Sequence, residues 1–112
     1  MDKLSEAQQP FRKGASGVKY LGRGPQIDWG VILLLPGERM GAHRHDQVEE
    51  TFYLLSGEAV LTTDGHDVAL HPGDVVRLPA PEDHDLRNDG REPAKLVFIK
   101  SPYLPADKID LS

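Results

Sequence analysis

Apolar positions in this chain come in short runs, interrupted by proline or glycine about every 8–15 residues. The runs are rich in Val, Ile, Leu, Phe and Tyr, which suits strands. They cover 18–21, 27–35, 39–45, 51–55, 58–62, 67–70, 75–78, 84–87 and 94–100. No stretch keeps a helical period long enough to predict a helix. The connectors carry turn chemistry. Asp64-Gly65 is a hairpin signal. Pro36-Gly37 and Pro72-Gly73 suit tight turns with a left-handed second position, and Asp89-Gly90 separates two further strands. Many short strands at this spacing predict an all-β sandwich or barrel. Residues 1–17 are polar and broken by Pro10, Gly14 and Gly17, so they read as an N-terminal arm ordered only against a partner. Residues 18–104 form the barrel domain and 105–112 a C-terminal tail.

Composition narrows the function classes. A chain of 112 residues has the size of one domain. Its net charge is −5, with 13 basic and 18 acidic residues and no Lys/Arg cluster, which argues against nucleic acid or an anionic membrane as partner. Cysteine is absent, so disulfides and thiolate chemistry are excluded. The longest apolar run, from Val31 to Pro36, is far too short to span a bilayer. The first residues lack the apolar core of a signal peptide. A cytoplasmic protein is expected.

The chemistry concentrates in "GAHRHDQVEE", residues 41–50. Pro36, Gly37 and Gly41 before it and "TFYLL" after it favour β structure over a helix. Side chains alternate along a strand, so His43 and His45 face one side, about 7 Å apart along the chain. A bend or twist lets two such imidazoles reach one ion, and Arg44 then faces away. The phase of the next strand selects the carboxylate. If Glu50 points inward, so do Phe52 and Leu54, while Glu49 is left as a solvated neighbour. His84, on the entry of a late strand, shares its phase with Leu86 and Asn88 and reaches the same interior if the barrel closes. His66 and His71 sit beside turns and read as surface histidines.

The frame around these residues resembles the cupin family. Its first motif is matched by Gly37, "ERMGA", His43, Arg44, His45, "DQVE", Glu50, "TFYLLS" and Gly57. Its second is matched by Gly73, "DVVRL", Pro79, Ala80, Pro81, "ED", His84, "DLR" and Asn88, with Pro81 in place of a glycine. Proline cannot donate a backbone hydrogen bond or take positive φ, so the turn before His84 is expected to differ from the family pattern. The resemblance implies a double-stranded jelly-roll β-barrel, metal ligands His43, His45, Glu50 and His84, and a homodimer in which the arm and an outer sheet pack on the partner.

Three imidazoles and one carboxylate suit Mn, Fe, Ni, Co or Zn as one divalent transition metal per chain. Open coordination positions suit a small polar or anionic molecule. Arg39 shares the phase of His43 if no bulge intervenes, and is a candidate for a substrate carboxylate. Phe52, Leu54 and Leu86 are candidates for the cavity lining. Trp29 reads as buried core in preference to a stacking wall, and Met40 and Phe98 as packing. Tyr53 should lie outside the metal cavity, and Lys100 carries no catalytic proton. Two functions remain open. One is a metal-dependent small-molecule enzyme, whether dioxygenase, decarboxylase, isomerase or lyase. The alternative is a non-enzymatic module that binds a sugar or other small ligand with the metal as anchor.

Overall fold

The computed structural model describes residues 1–111 and resolves the strand pattern into two five-stranded sheets packed face to face. In chain order the strands are β1 (Gly17–Arg23), β2 (Asp28–Leu34), β3 (His43–Arg44), β4 (Glu49–Ser56), β5 (Ala59–Thr63), β6 (His66–Leu70), β7 (Val75–Leu78), β8 (His84–Arg87), β9 (Ala94–Ser101) and β10 (Ile109–Asp110). One sheet runs β1-β2-β9-β4-β7 and the other β10-β3-β8-β5-β6, all neighbours antiparallel. Among the described residues the one helical element is the 3-10 turn Glu6–Gln8.

Alternation builds the core. Ile32 pairs with Leu96 and Leu96 with Leu54, one inward layer across three strands. The next layer is Gly30, Phe98 and Phe52. Leu61 and Leu86, themselves cross-strand partners, face them from the second sheet. All seven apolar side chains are nearly inaccessible to water, and such burial is the main driving force for closing the sandwich.

The turns obey their sequence signals. Asp64 and Gly65 both have positive φ (50° and 76°), the two-residue hairpin geometry expected between β5 and β6. Gly37 (87°) and Gly73 (94°) each follow proline in turns closed by Glu38 N–H on Leu35 O and Asp74 N–H on His71 O. After β8, Asn88 acts as a latch. Its amide donates to Leu34 O and Glu92 O, both at 2.8 Å, while its Oδ1 accepts from Gly90 N–H.

Three segments depart from the sequence-based expectation. The run 39–45 is not one strand. Gly41 takes φ 100° and breaks it, leaving a single bridge at Arg39 to Arg87 and the short strand His43–Arg44. The arm finds its anchors within its own chain. Glu6 bridges Lys19 and Lys95, and the Lys19 ammonium also sits 4.1 Å from the Phe11 ring centroid. Beyond Leu104 the chain returns as β10, antiparallel to β3.

Candidate metal centre

His43 and His84 are direct partners across β3 and β8, so their rings stand together, with centroids 4.2 Å apart. Glu50 belongs to β4 of the opposite sheet, in phase with Phe52 and Leu54, and reaches the same point. His45 lies just past β3. Its inward turn leaves Arg44 outside, where it pairs with Asp46. All four ligand candidates are at most 4% exposed. One donor atom from each lies within 4.8 Å of every other.

The outer nitrogen of each ring fixes its tautomer. Nδ1 of His43 meets Gly41 O at 2.8 Å, Nδ1 of His84 meets Glu82 O at 3.2 Å, and Nδ1 of His45 meets Asp107 O. A carbonyl only accepts, so each Nδ1 carries a proton. In the neutral rings the lone pair is then on Nε2, and all three Nε2 atoms point at Glu50 Oε1, at 3.0 Å (His84), 3.2 Å (His45) and 3.8 Å (His43). Four acceptors aimed at one point repel unless a cation or a shared proton sits among them. A divalent ion meets that need with all three rings neutral, and the carbonyls on Nδ1 are the outer partners such ligands use. The residues present therefore fit the group.

With protons alone, the same geometry shifts both partners. Burial pushes the Glu50 carboxyl up, but hydrogen bonds from the three imidazoles outweigh it and hold the group well below its ordinary 4.5. Burial pushes His45 down, but Glu50 and the Asp107 carbonyl outweigh that and raise it above 6.5.

The supports come from distant segments. Asp107 carboxylate oxygens accept from the backbone N–H of Asp46 (3.0 Å), Gln47 (2.8 Å) and Val48 (2.9 Å), the loop joining His45 to Glu50. Burial raises the Asp107 carboxyl, and these three amides more than offset it, so its pKa is lowered. Asp85, 6% exposed, accepts from Gly41 N–H at 2.9 Å and fixes the kink that carries His43. Pro81 does not displace His84. Glu82 N–H closes the preceding turn on Pro79 O, and Glu82 O receives the His84 proton.

The other sequence candidates lie elsewhere. Arg39 is turned by the Gly41 kink onto Asp85 (2.9 Å), with its side chain 63% exposed, and does not line the cleft over the cluster. Phe52, Leu54 and Leu86 are core beneath the cluster, and the Phe52 ring meets His84 edge-on at 5.7 Å. Glu49 is half-buried at the sheet surface and pairs with Arg77. Trp29, expected in the core, is 37% exposed on the outer face and lies over Gly22, where a Cβ would collide with its indole.

The cleft over His43, His45 and Glu50 holds about 330 Å³ including its open mouth. Arg12, Tyr20, Met40, Phe98, Lys100 and Lys108 line it. Lys100 was the most legible of these. It follows Phe98 by two residues, so it shares an inward phase, and it is the cross-strand partner of Glu50. Arg12 and Lys108 arrive from the arm and the C-terminal segment, for which periodicity gives no phase.

The Cupin_2 family model, described as a cupin domain, matches residues 30–100. The chain is 39% identical over 68 residues to an oxalate-binding protein of Thermotoga maritima, covering 61% of this chain and 56% of that one. It is 38% identical over 68 residues to quercetin 2,3-dioxygenase of Bacillus subtilis, covering 61% of this chain and 20% of the other. The chain spans about half the length, or less, of the curated relatives it matches. Among solved structures, a double-stranded β-helix domain protein from Klebsiella pneumoniae superposes with a TM-score of 0.86 at 20% identity, covering 100% of this chain and 98% of that one. Oxalate decarboxylase of Bacillus subtilis, a protein with Mn(II) centres, superposes with a TM-score of 0.80 at 25% identity, covering 95% of this chain and 31% of the other.

Proposed function

The chain belongs to the cupin family, and from that premise we propose that it is a metal-dependent enzyme acting on a small polar or anionic molecule. His43, His45, Glu50 and His84 hold one divalent ion, with Mn, Fe, Ni, Co and Zn all compatible with three nitrogens and one oxygen. The observation that carries this reading is the convergence of three imidazole Nε2 atoms on one carboxylate oxygen inside a buried cluster. When bound, the ion would polarise a coordinated substrate oxygen as a Lewis acid.

The chain's own groups supply the rest. Phe98 and Met40 give the cleft an apolar wall, which keeps bulk water from much of a bound molecule. Lys100 places a cation beside Glu50, facing whatever negative charge develops on the substrate. Its ammonium is 3.6 Å from Asp28, which Arg23 also holds with two hydrogen bonds, so its position is set from behind. Dioxygenase, decarboxylase, isomerase and lyase chemistry are all compatible with this arrangement.

A second reading, a non-enzymatic binding module with the metal as anchor, is favoured by one observation. Among the described residues, no carboxylate outside the ligands lines the cleft directly over the cluster, so none of them offers a general base separate from the metal ligands there. The similarity to a protein named for oxalate binding supports the same reading. Elemental analysis of untagged protein, with His43→Ala and His84→Ala as controls, tests the metal. Loss of the ion in both variants is expected, and unchanged content would refute the ligand set. Turnover of a small carboxylate that stops with a chelator and returns with the ion separates enzyme from binding module.

The homodimer and the cytoplasmic location belong to the same proposal. Trp29, Ile99, Tyr53 and Val75 form an exposed apolar stripe across the outer face of the first sheet, which suits a second copy. No helix among the described residues is long and apolar enough to cross a membrane, and the absence of cysteine accords with a reducing compartment.

A further inference from the structure

The molecule carries a net charge of −5, yet the mouth of its cleft is cationic. Arg12, Lys100 and Lys108 line the cleft over the cluster, and the same three, with Tyr20 and His45, also line an adjoining cleft roofed by Pro102, Leu104 and Pro105. The acidic groups nearby are already engaged. Asp28 is held by Arg23 and Lys100, and Asp107 by three backbone amides. Glu50 is committed to the imidazoles. Arg12 meets no carboxylate within salt-bridge distance among the described residues. It donates to the Tyr20 hydroxyl at 2.9 Å, which aims the guanidinium along the cleft wall. Among the described residues Lys108 has one charged partner, the exposed Asp110 at 3.5 Å. These cations come from three separate parts of the chain: the arm, the last long strand and the C-terminal segment.

We propose that Arg12 and Lys108, with Lys100 behind them, form a specificity site for a carboxylate at the end of the substrate remote from the ion. The substrate class is then a small organic dianion, with one anionic end at the metal and the other at the rim. The proposal rests on the metal reading for the first end only. The cleft over the cluster is small, about 330 Å³ even when its open mouth is counted. A large or neutral sugar gains nothing from three cations. Charge-assisted contacts to arginine and lysine instead reward a second carboxylate and steer it inward.

The test is calorimetric titration of Mn(II)-loaded protein with malonate and with its neutral isostere malonamide, metal content being measured on the same samples. Malonate is expected to bind at least tenfold more tightly. Arg12→Gln and Lys108→Gln are each expected to weaken malonate about three- to tenfold, with malonamide, metal content and melting temperature unchanged, and added salt should narrow the difference. Lys100 is left intact because it also pairs with the buried Asp28 and stands beside Glu50. Equal affinity for the two ligands, or malonate binding indifferent to both substitutions, overturns the proposal. If the protein takes up none of Mn(II), Fe(II), Co(II), Ni(II) or Zn(II), the metal reading fails separately, and dependence of malonate binding on Arg12 and Lys108 in that protein still decides the rim.

Discussion

At the scale of single residues, the site depends on atoms that never touch the ion. Asp107 is the clearest case. One residue, 62 positions from His45, accepts that ring's proton with its carbonyl and ties down loop 46–48 with its carboxylate. Asp107→Ala removes the carboxylate and leaves the carbonyl. We expect divalent-metal affinity to fall by roughly tenfold, the lower end of what outer partners of metal ligands contribute. Competition with a fluorescent chelator measures it, and an unchanged constant would show that the loop holds itself. Arg39 teaches the converse. A residue in phase by counting was removed from the cleft by one glycine with φ 100°.

At the scale of elements, β4 and β9 carry the barrel, and the turn after β4 sets their ends. Gly57 has φ 78°, and a Cβ there would meet Pro93 O at 2.3 Å. Backbone must shift to make room, and positive φ adds its own strain. Gly57→Ala is therefore expected to destabilise the fold by about 2–4 kcal/mol. Urea unfolding is the measurement, and a loss below about 1 kcal/mol would mean that the turn relaxes freely. Most of this level was legible. The paired strands, the Asp64-Gly65 hairpin and the two Pro-Gly turns all follow from local chemistry. The short β10 was not, because Ile109 and Asp110 carry no pattern of their own and are ordered by pairing with β3.

At the scale of the molecule, protons and metal compete for one cluster. In chelator-treated protein, Glu50 has a depressed pKa, so its contribution is complete above 4.5 and lost as pH falls through the depressed value. His45 has a raised pKa, so its contribution is complete below 6.5 and lost as pH rises through the raised value. The melting temperature of stripped protein should peak between those limits and decline toward alkaline pH. Metal-loaded protein should instead gain stability as pH rises through the imidazole range, because the ion displaces protons. Parallel curves for the two forms in scanning calorimetry would refute the shared cluster. Association is a second property of the whole. If the stripe of Trp29, Ile99, Tyr53 and Val75 is the dimer face, Ile99→Glu should yield a monomer in light scattering with metal content preserved. A variant that stays dimeric places the interface elsewhere.

The sequence by itself determined the periodicity and the turn types, because strand phase and turn conformation depend on neighbours a few residues apart, while the four candidate ligands were marked by the resemblance to the cupin motifs. The glutamate could be chosen between Glu49 and Glu50 by strand phase alone. Tertiary structure decided what joins distant segments. It set the Asp107 support for His45, the anchoring of the arm through Lys19 and Lys95, and the gathering of Arg12, Lys100 and Lys108 at one mouth. Lys100 shares the inward phase of its strand, but Arg12 and Lys108 are exposed and have no hydrophobic phase to betray their direction. Only closure of the two sheets brings residues 12, 100 and 108 within reach of one ligand.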